Sequence, residues 1–379
     1  MAKLIEITGK VLSGEWGTDD EIGNGIPVLR TTNFTNEGII DYSDVVTRKI
    51  VKKGIEEKYL RNGDIIIEKS GGSDKQPVGR VIYYEGLEDT YLFNNFTGLL
   101  RVKNRKKWHP RYVFYSLFSN YRSGGTCAFQ NKTTGLHNLK TDDYISSFNV
   151  SEIDITTQKI ICKQLDLVKS VIIMRQQQLQ KLDNLIKARF VEMFGNILCD
   201  NNLPVIQLKK LVDIGSSKRI YANEYVESGV PFYRSKEIRE LGTGMKPSVE
   251  LFIKQERYDE IKEKYGVPKV GDILIAAIGA TIGYSWIVNS ENPFYYKDGN
   301  IIILSIKDNV NPIFLNHTMR ILIDDFKNKG VAGSAQLALT IEKLEKMMVI
   351  NPPIKLQNHF AAFVEQIDKS KFIQMNSTI

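Results

Sequence analysis

Gln158-Lys-Ile-Ile-Cys-Lys-Gln-Leu-Asp-Leu-Val-Lys-Ser-Val-Ile-Ile-Met174 opens a stretch that runs to Phe194 without a proline or a glycine. Alternating steps of three and four residues give Ile161, Leu165, Val168, Ile172, Arg175, Leu179, Leu182, Ile186, Arg189 and Met193, eight of the ten apolar. That spacing marks a heptad seam rather than a broad amphipathic face. Gln176-Gln-Gln178 and the neighbouring Lys and Arg residues suit its solvated flanks, and Gly195 supplies a stop. At 1.5 Å per residue the helix would be about 55 Å long, too long for the core of a small domain. Near the end of the chain Gln357, Phe360, Val364 and Ile367 repeat Gln158, Ile161, Leu165 and Val168. Two such seams in one chain are expected to pair. Because each follows a globular segment, the expected pairing is antiparallel, an antiparallel coiled coil holding two domains apart.

The chain says the same thing twice. Gly25-Ile-Pro-Val-Leu-Arg30 returns 204 residues later as Gly229-Val-Pro-Phe-Tyr-Arg234. Asn62-Gly-Asp-Ile-Ile-Ile67 returns as Val270-Gly-Asp-Ile-Leu-Ile275, Gly79 before Arg80-Val-Ile-Tyr as Gly283 before Tyr284-Ser-Trp-Ile, and His109-Pro-Arg-Tyr-Val-Phe as Asn311-Pro-Ile-Phe-Leu. Ile155-Thr-Thr-Gln158 answers Ile354-Lys-Leu-Gln357, and across all five pairs the offset stays between 199 and 208. Five matches in one order indicate duplication, with loop insertions producing the drift. Apolar runs after a Gly-Asp turn suit buried strands, and Tyr112 to Phe118 suits a short helix that starts at Pro110 and ends before Gly124-Gly125. The expected fold is α+β, two repeated mixed α/β domains separated by long α-helices. The expected boundaries are 1–153 for the first domain, 154–196 for the central helix, 197–352 for the second domain and 353–379 for a distal helix.

Composition bounds the function. Lys and Arg number 51 against 44 Asp and Glu, a net charge of +7. That permits a polyanionic partner without requiring one. Cys127, Cys162 and Cys199 lie far apart, and His109, His137, His317 and His359 form no ligand-spaced cluster, so no metal site is expected. Neither a signal peptide nor an apolar run of membrane length is present, and a cytoplasmic protein is expected.

The alternation of domain, long helix, domain and helix resembles the specificity subunits of type I restriction–modification systems, and the resemblance covers the whole chain. Lys187-Ala-Arg-Phe-Val-Glu-Met-Phe-Gly195 is similar to the end of that family's central spacer, and Asn351-Pro-Pro-Ile-Lys-Leu-Gln357 to the entry into its distal helix. Gly63-Asp-Ile-Ile-Ile-Glu-Lys-Ser-Gly-Gly72 with Gln76-Pro-Val-Gly-Arg80 resembles a stretch of its target-recognition domains. The resemblance implies a non-catalytic subunit that reads a bipartite, asymmetric site on double-stranded DNA. It also implies that the helices act as a ruler and dock two methyltransferase subunits, with restriction/translocase subunits joining for cleavage. S-adenosylmethionine and ATP with Mg would then belong to those partners, and no cofactor to this chain. The distal segment, about 23 residues against 37, departs from the pattern, leaving the coiled coil incomplete or completed by another subunit.

A sharper alternative is an adenine-N6 methyltransferase using Asn351-Pro-Pro353. There an aromatic residue would stack on the flipped base, and Ile354 cannot. No glycine-rich cofactor loop or P-loop is found. Asp64 and Glu68 suggest a carboxylate pair for a nuclease metal, but the second copy has Asp272 and Ala276; no catalytic residue is assigned. The candidate DNA-facing residues lie in polar loops: Arg30, Thr31, Thr32 and Asn33; Ser70 and Lys75; Gln130 and Lys132; Arg234, Ser235 and Lys236; and Gln336. Arg and Asn suit bidentate bonds to base edges, and Lys suits phosphate. Arg30 and Arg234 recur in both copies, which favours a framework or phosphate role over base reading.

Overall fold

The computed structural model describes residues 1–74, 76–133, 136–199, 203–330 and 337–376. It forms two compact units, Met1–Ile173 and Met174–Ile379.

In the first unit an antiparallel sheet orders its strands Leu12–Ser13, Thr97–Leu100, Ile65–Glu68 and Val81–Tyr83. Ile65–Glu68 is central and buried along its whole length. Its side chains alternate between two cores, which is why it reads as an unbroken apolar run. Ile65 and Ile67 join a cluster with Val113, Phe114 and Leu117, whereas Ile66 joins Leu29, Phe34 and Phe93. The turn before the strand has Gly63 at φ +91°, a conformation that suits glycine. A second sheet runs Thr18–Asp19, Val46–Lys49, Ile26–Leu29 and Leu92–Phe93, its last pair parallel. The helices are α1 (Leu4–Thr8), α2 (Pro110–Arg122), α3 (Thr141–Ser147) and the start of α4 (Ile155–Phe194). As the sequence predicts, α2 begins on its proline.

The second unit is built in the same order. Its main sheet runs Val212–Gly215, Ile301–Ile306, Ile273–Ala276 and Ser285–Ile287. Ile273 and Ile275 face one core with Leu315 and Met319, while Leu274 faces another with Phe232 and Tyr295. Gly271 takes the turn at φ +97°. The companion sheet, Tyr225–Val226, Phe252–Ile253, Val230–Tyr233 and Tyr295–Tyr296, again closes on a parallel pair. Its helices are α5 (Ser235–Gly242), α6 (Gln255–Tyr265), α7 (Pro312–Gly330), α8 (Ile341–Lys346) and α9 (Ile354–Asn376). The division between units falls within α4, between Ile173 and Met174.

Helix pairing is realised in part. In the second unit Leu182, Ile186, Phe190 and Phe194 of α4 pack with Phe360, Val364 and Ile367 of α9. Lys371 of α9 pairs with Asp183 at 2.7 Å while Phe360 meets Phe194, so the two helices run antiparallel. Leu165, Val168 and Ile172, expected in the same seam, are instead 40%, 56% and 47% exposed. The reason is one of phase. In the first unit α4 lies on its domain through Gln158 and then Cys162, Asp166 and Lys169, the last three each one position on from a seam residue and so about 100° round the helix. Ile161 is half-buried against that domain's core. Among the described residues no helix is long and apolar enough to cross a membrane.

Candidate nucleic-acid interface

Arg30 follows the strand Ile26–Leu29 and starts a single turn, Thr31–Asn33. Its amide donates to Asn33 Oδ1 at 2.8 Å, and its guanidinium pairs with Asp44 at 2.8 Å. Asn33 is buried and donates to the carbonyls of Asp41 and Asp44. Its amide is therefore spent on shaping the loop, whereas Thr32 is exposed. In the second unit Arg234 occupies the same place before α5. Its amide donates to Glu237 Oε2 at 2.8 Å, and its guanidinium bonds Glu237 and Glu250. Lys236 pairs with the same Glu250 at 2.7 Å, and together Lys236 and Arg234 pull that carboxyl down to about 2. Ser235 is half-buried. Both arginines thus fasten a loop to a neighbouring acid.

Ser70 lies in a three-stranded sheet found in the first unit, Gln130–Thr133, Leu136–Leu139 and Ser70–Gly72. Its hydroxyl bonds Asn138 Oδ1 at 2.5 Å, and Gln130 meets the buried His137 ring at 3.1 Å. Lys132 stands opposite His137 in the hairpin. The sheet carries the polar side chains of Ser70, Gln130 and Asn138, residue types able to bond phosphates or base edges. Lys75 and Gln336 lie outside the described residues, and near the latter Ile278 bridges Ala338.

Arg80, the last residue of the motif Gln76-Pro-Val-Gly-Arg80, joins the two groups of candidates in the first unit. Its guanidinium bonds both oxygens of Glu68 at 2.9 Å and donates to the carbonyls of Thr31 at 3.1 Å and Phe34 at 2.8 Å. Burial works against its charge, but Glu68 outweighs burial and holds its pKa above the usual arginine value. The loop after Arg30 and the strand leading to Ser70 therefore form one braced surface. The signal was present in the motif Gln76-Pro-Val-Gly-Arg80, but its acid partner lies 12 residues away on another strand.

The carboxylates considered for metal chemistry have other employment. Asp64 accepts from the Arg61 amide at 2.8 Å, closing the turn, and from Arg101 at 2.8 and 2.7 Å. Glu68 is held by Arg80. Among the described residues no cluster of His, Cys, Asp and Glu is arranged to hold a metal. Asn351-Pro-Pro353 works as the rigid lead-in to α9, between the strand Met348–Ile350 and Ile354. The Asn351 amide donates to the Pro204 carbonyl at 2.7 Å, and the Pro352 carbonyl accepts from Gln357 at 2.8 Å.

Each domain is fastened to its helix by a glutamine with no exposed surface. Gln158 accepts from the His109 amide at 2.8 Å and donates to the Lys107 and Ile153 carbonyls at 2.9 and 2.8 Å. Gln357 accepts from the Asn311 amide at 2.9 Å and donates to the Pro352 carbonyl. In each unit one of these bonds takes up the amide of the residue before the proline of α2 or α7, a group that a helix start leaves without an internal partner.

Comparison with known proteins agrees with this duplicated plan. The family model for the type I restriction modification DNA specificity domain matches residues 2–184 and again 202–379. A type I restriction enzyme specificity subunit of Haemophilus influenzae is 32% identical over 174 residues, 44% of this chain and 42% of that protein, so the match spans less than half of the relative's length. Among solved structures, the S subunit of a type I restriction–modification system from M. genitalium superposes with a TM-score of 0.59 at 13% identity, covering all of this chain and 91% of that one. A chain from a structure of type I restriction–modification complex assembly gives 0.50 at 15% identity, with 100% and 93% covered. At those identities the two structures speak for the fold.

Proposed function

This chain belongs to the type I restriction modification DNA specificity family, and from that premise we propose that it is the sequence-reading subunit of such a system. It reads a bipartite, asymmetric site on double-stranded DNA, one half with each domain, and carries no catalytic centre. The observation that supports this most is a frame built twice with different loops. Gly63 and Gly271, Asp64 and Asp272, and Gln158 and Gln357 do the same work in both units. Among the described residues, the hairpin sheet holding Ser70 and the Arg80 brace are seen in the first, whereas the Arg234–Glu250–Lys236 cluster is seen in the second. A shared frame with different polar surfaces is what two different half-sites call for.

On this reading the exposed faces of α4 and α9 dock two methyltransferase subunits, and restriction/translocase subunits join that assembly. S-adenosylmethionine and ATP with Mg are used by those partners in the cytoplasm. The test is to co-produce the chain with a methyltransferase subunit and map methyladenine across a host genome. The expected motif has two unlike half-sites separated by a fixed gap. A continuous or palindromic motif would overturn the reading, as would stoichiometric S-adenosylmethionine binding by the isolated chain. A four-residue insertion between Gln176 and Gln178 should lengthen the helix by roughly 6 Å, about two base-pair steps, and lengthen the gap while leaving both half-sites unchanged.

A further inference from the structure

We propose that Gln158 and Gln357 are the positioning residues that fix the gap between the two half-sites. The inference rests on the reading of α4 as the spacer and goes beyond it by naming what holds each domain at a set angle to its helix.

Three features single these side chains out. Both are fully buried amides at the first turn of a long helix, and both bind main-chain groups rather than side chains. Main-chain partners cannot swing away, so each glutamine ties the helix to the start of α2 or α7 without rotamer slack. In each case the tie includes the amide just before the helix-starting proline, Pro110 or Pro312, whose ring restricts the residue that precedes it. The same residue type therefore joins the same two elements in both units.

Leverage makes this joint important. From Gln158 to Phe194 the helix is about 54 Å long, so a rotation of about 5° at its root carries the far end by about 5 Å. That exceeds one base-pair step of about 3.4 Å. A joint with a few degrees of play would therefore accept gaps one base pair longer or shorter, even with every base contact intact. An apolar side chain of the same size would fill the space but give no directional bond, leaving the angle to packing alone.

The variants are Gln158→Met and Gln357→Met, each in the full chain co-produced with a methyltransferase subunit. Ile66→Val serves as a control, because Ile66 is buried in the framework core away from the joint. Methyladenine mapping reads both half-sites and the gap, and thermal melting reads folding. With either methionine variant, methylation at gaps altered by one base pair should rise about tenfold relative to the native gap, with both half-sites unchanged. The Ile66→Val chain should melt lower and keep the native gap. If both methionine variants methylate only the native gap while wild type shows a bipartite site, the proposal is overturned and the functional reading stands. The proposal also falls if the Ile66→Val control relaxes the gap equally, since general loosening would then suffice. A continuous wild-type motif would remove both.

Discussion

The two helix–domain joints start from the same glutamine and are finished in opposite ways. In the first unit the second fastening is polar. Arg111 of α2 bonds Asp166 of α4 at 2.7 Å, pairs with Glu85 at 2.5 Å, and lies over the Tyr83 ring, while the Tyr115 hydroxyl donates to the same Asp166. In the second unit the fastening is aromatic. Phe190 and Phe194 of α4 close on Phe314 of α7 and Phe360 of α9, with ring centroids 4.9 to 6.1 Å apart. A polar clamp needs only one edge of the helix, so it leaves the apolar seam of α4 uncovered. The aromatic clamp takes the seam of α9 through Phe360, while on α4 its rings, Phe190 and Phe194, each stand one position on from the seam residues Arg189 and Met193. Duplication preserved the hinge, and each copy found its own lock.

The largest effect should come from the aromatic lock. Phe360→Ala removes one fully buried ring of a four-ring cluster and should cost about 3–5 kcal/mol. Ile161, its counterpart on α4, is half-buried, and Ile161→Ala should cost about 1–2 kcal/mol. Urea denaturation of each variant in the full chain checks the pair. Equal losses would mean that the two joints do not differ in kind.

Next come the turn acids. Asp64 is tied to Arg101, whereas Asp272 has the Lys269 amide and is raised above its ordinary value of 3.8 by burial. Asp64→Asn should cost about 2–3 kcal/mol at neutral pH, since it leaves a largely buried guanidinium without its counter-charge. A carboxyl whose folded pKa is raised contributes stability below its unfolded pKa and loses it as pH rises through the folded value. The advantage of wild type over Asp272→Asn should therefore shrink as pH climbs above about 4, leaving the variant equal or more stable at pH 7. A wild-type advantage that grew with pH would reverse the assignment.

Much of this was readable beforehand for a physical reason. The Gly-Asp turns, the strands after them, the proline-led helices and the paired glutamines are local signals, and duplication states each of them twice. What stayed hidden depends on partners far along the chain. The parallel pairing of Val28–Leu29 with Leu92–Phe93 leaves no periodic trace, and neither does the reach of Arg80 to Thr31 and Phe34. The helix phase is the most instructive case. A hydrophobic pattern picks the most apolar stripe, but in the first unit Arg111 recruits the stripe containing Asp166, and an acid cannot be recognised as an inward-facing residue without its base.

The polar lock predicts a smaller loss, because Asp166 is 36% exposed. Arg111→Met should cost about 1 kcal/mol, and the loss should diminish at high salt as screening weakens the wild-type pair. No corresponding salt sensitivity is expected of Phe360→Ala.

The smallest effect belongs to the uncovered seam, and it separates the two joints most sharply. Val364 and Ile367 on α9 are 3% and 9% exposed, whereas Leu165 and Val168, at equivalent places on α4, are 40% and 56% exposed. A side chain that already meets water loses little when it becomes polar. Leu165→Gln and Val168→Gln should therefore each change the stability of the isolated chain by no more than about 0.5 kcal/mol. Ile367→Ala should cost about 2–3 kcal/mol because it empties a packed position. The comparison becomes more informative when the methyltransferase subunit is added. If the seam is part of its landing surface, the glutamine variants should weaken co-purification while leaving the melting temperature of the free chain where it was. Ile367→Ala should lower that temperature first. If Leu165→Gln destabilised the isolated chain as much as Ile367→Ala, the seam would be covered in solution by this chain itself, and the first joint would prove to have two locks rather than one.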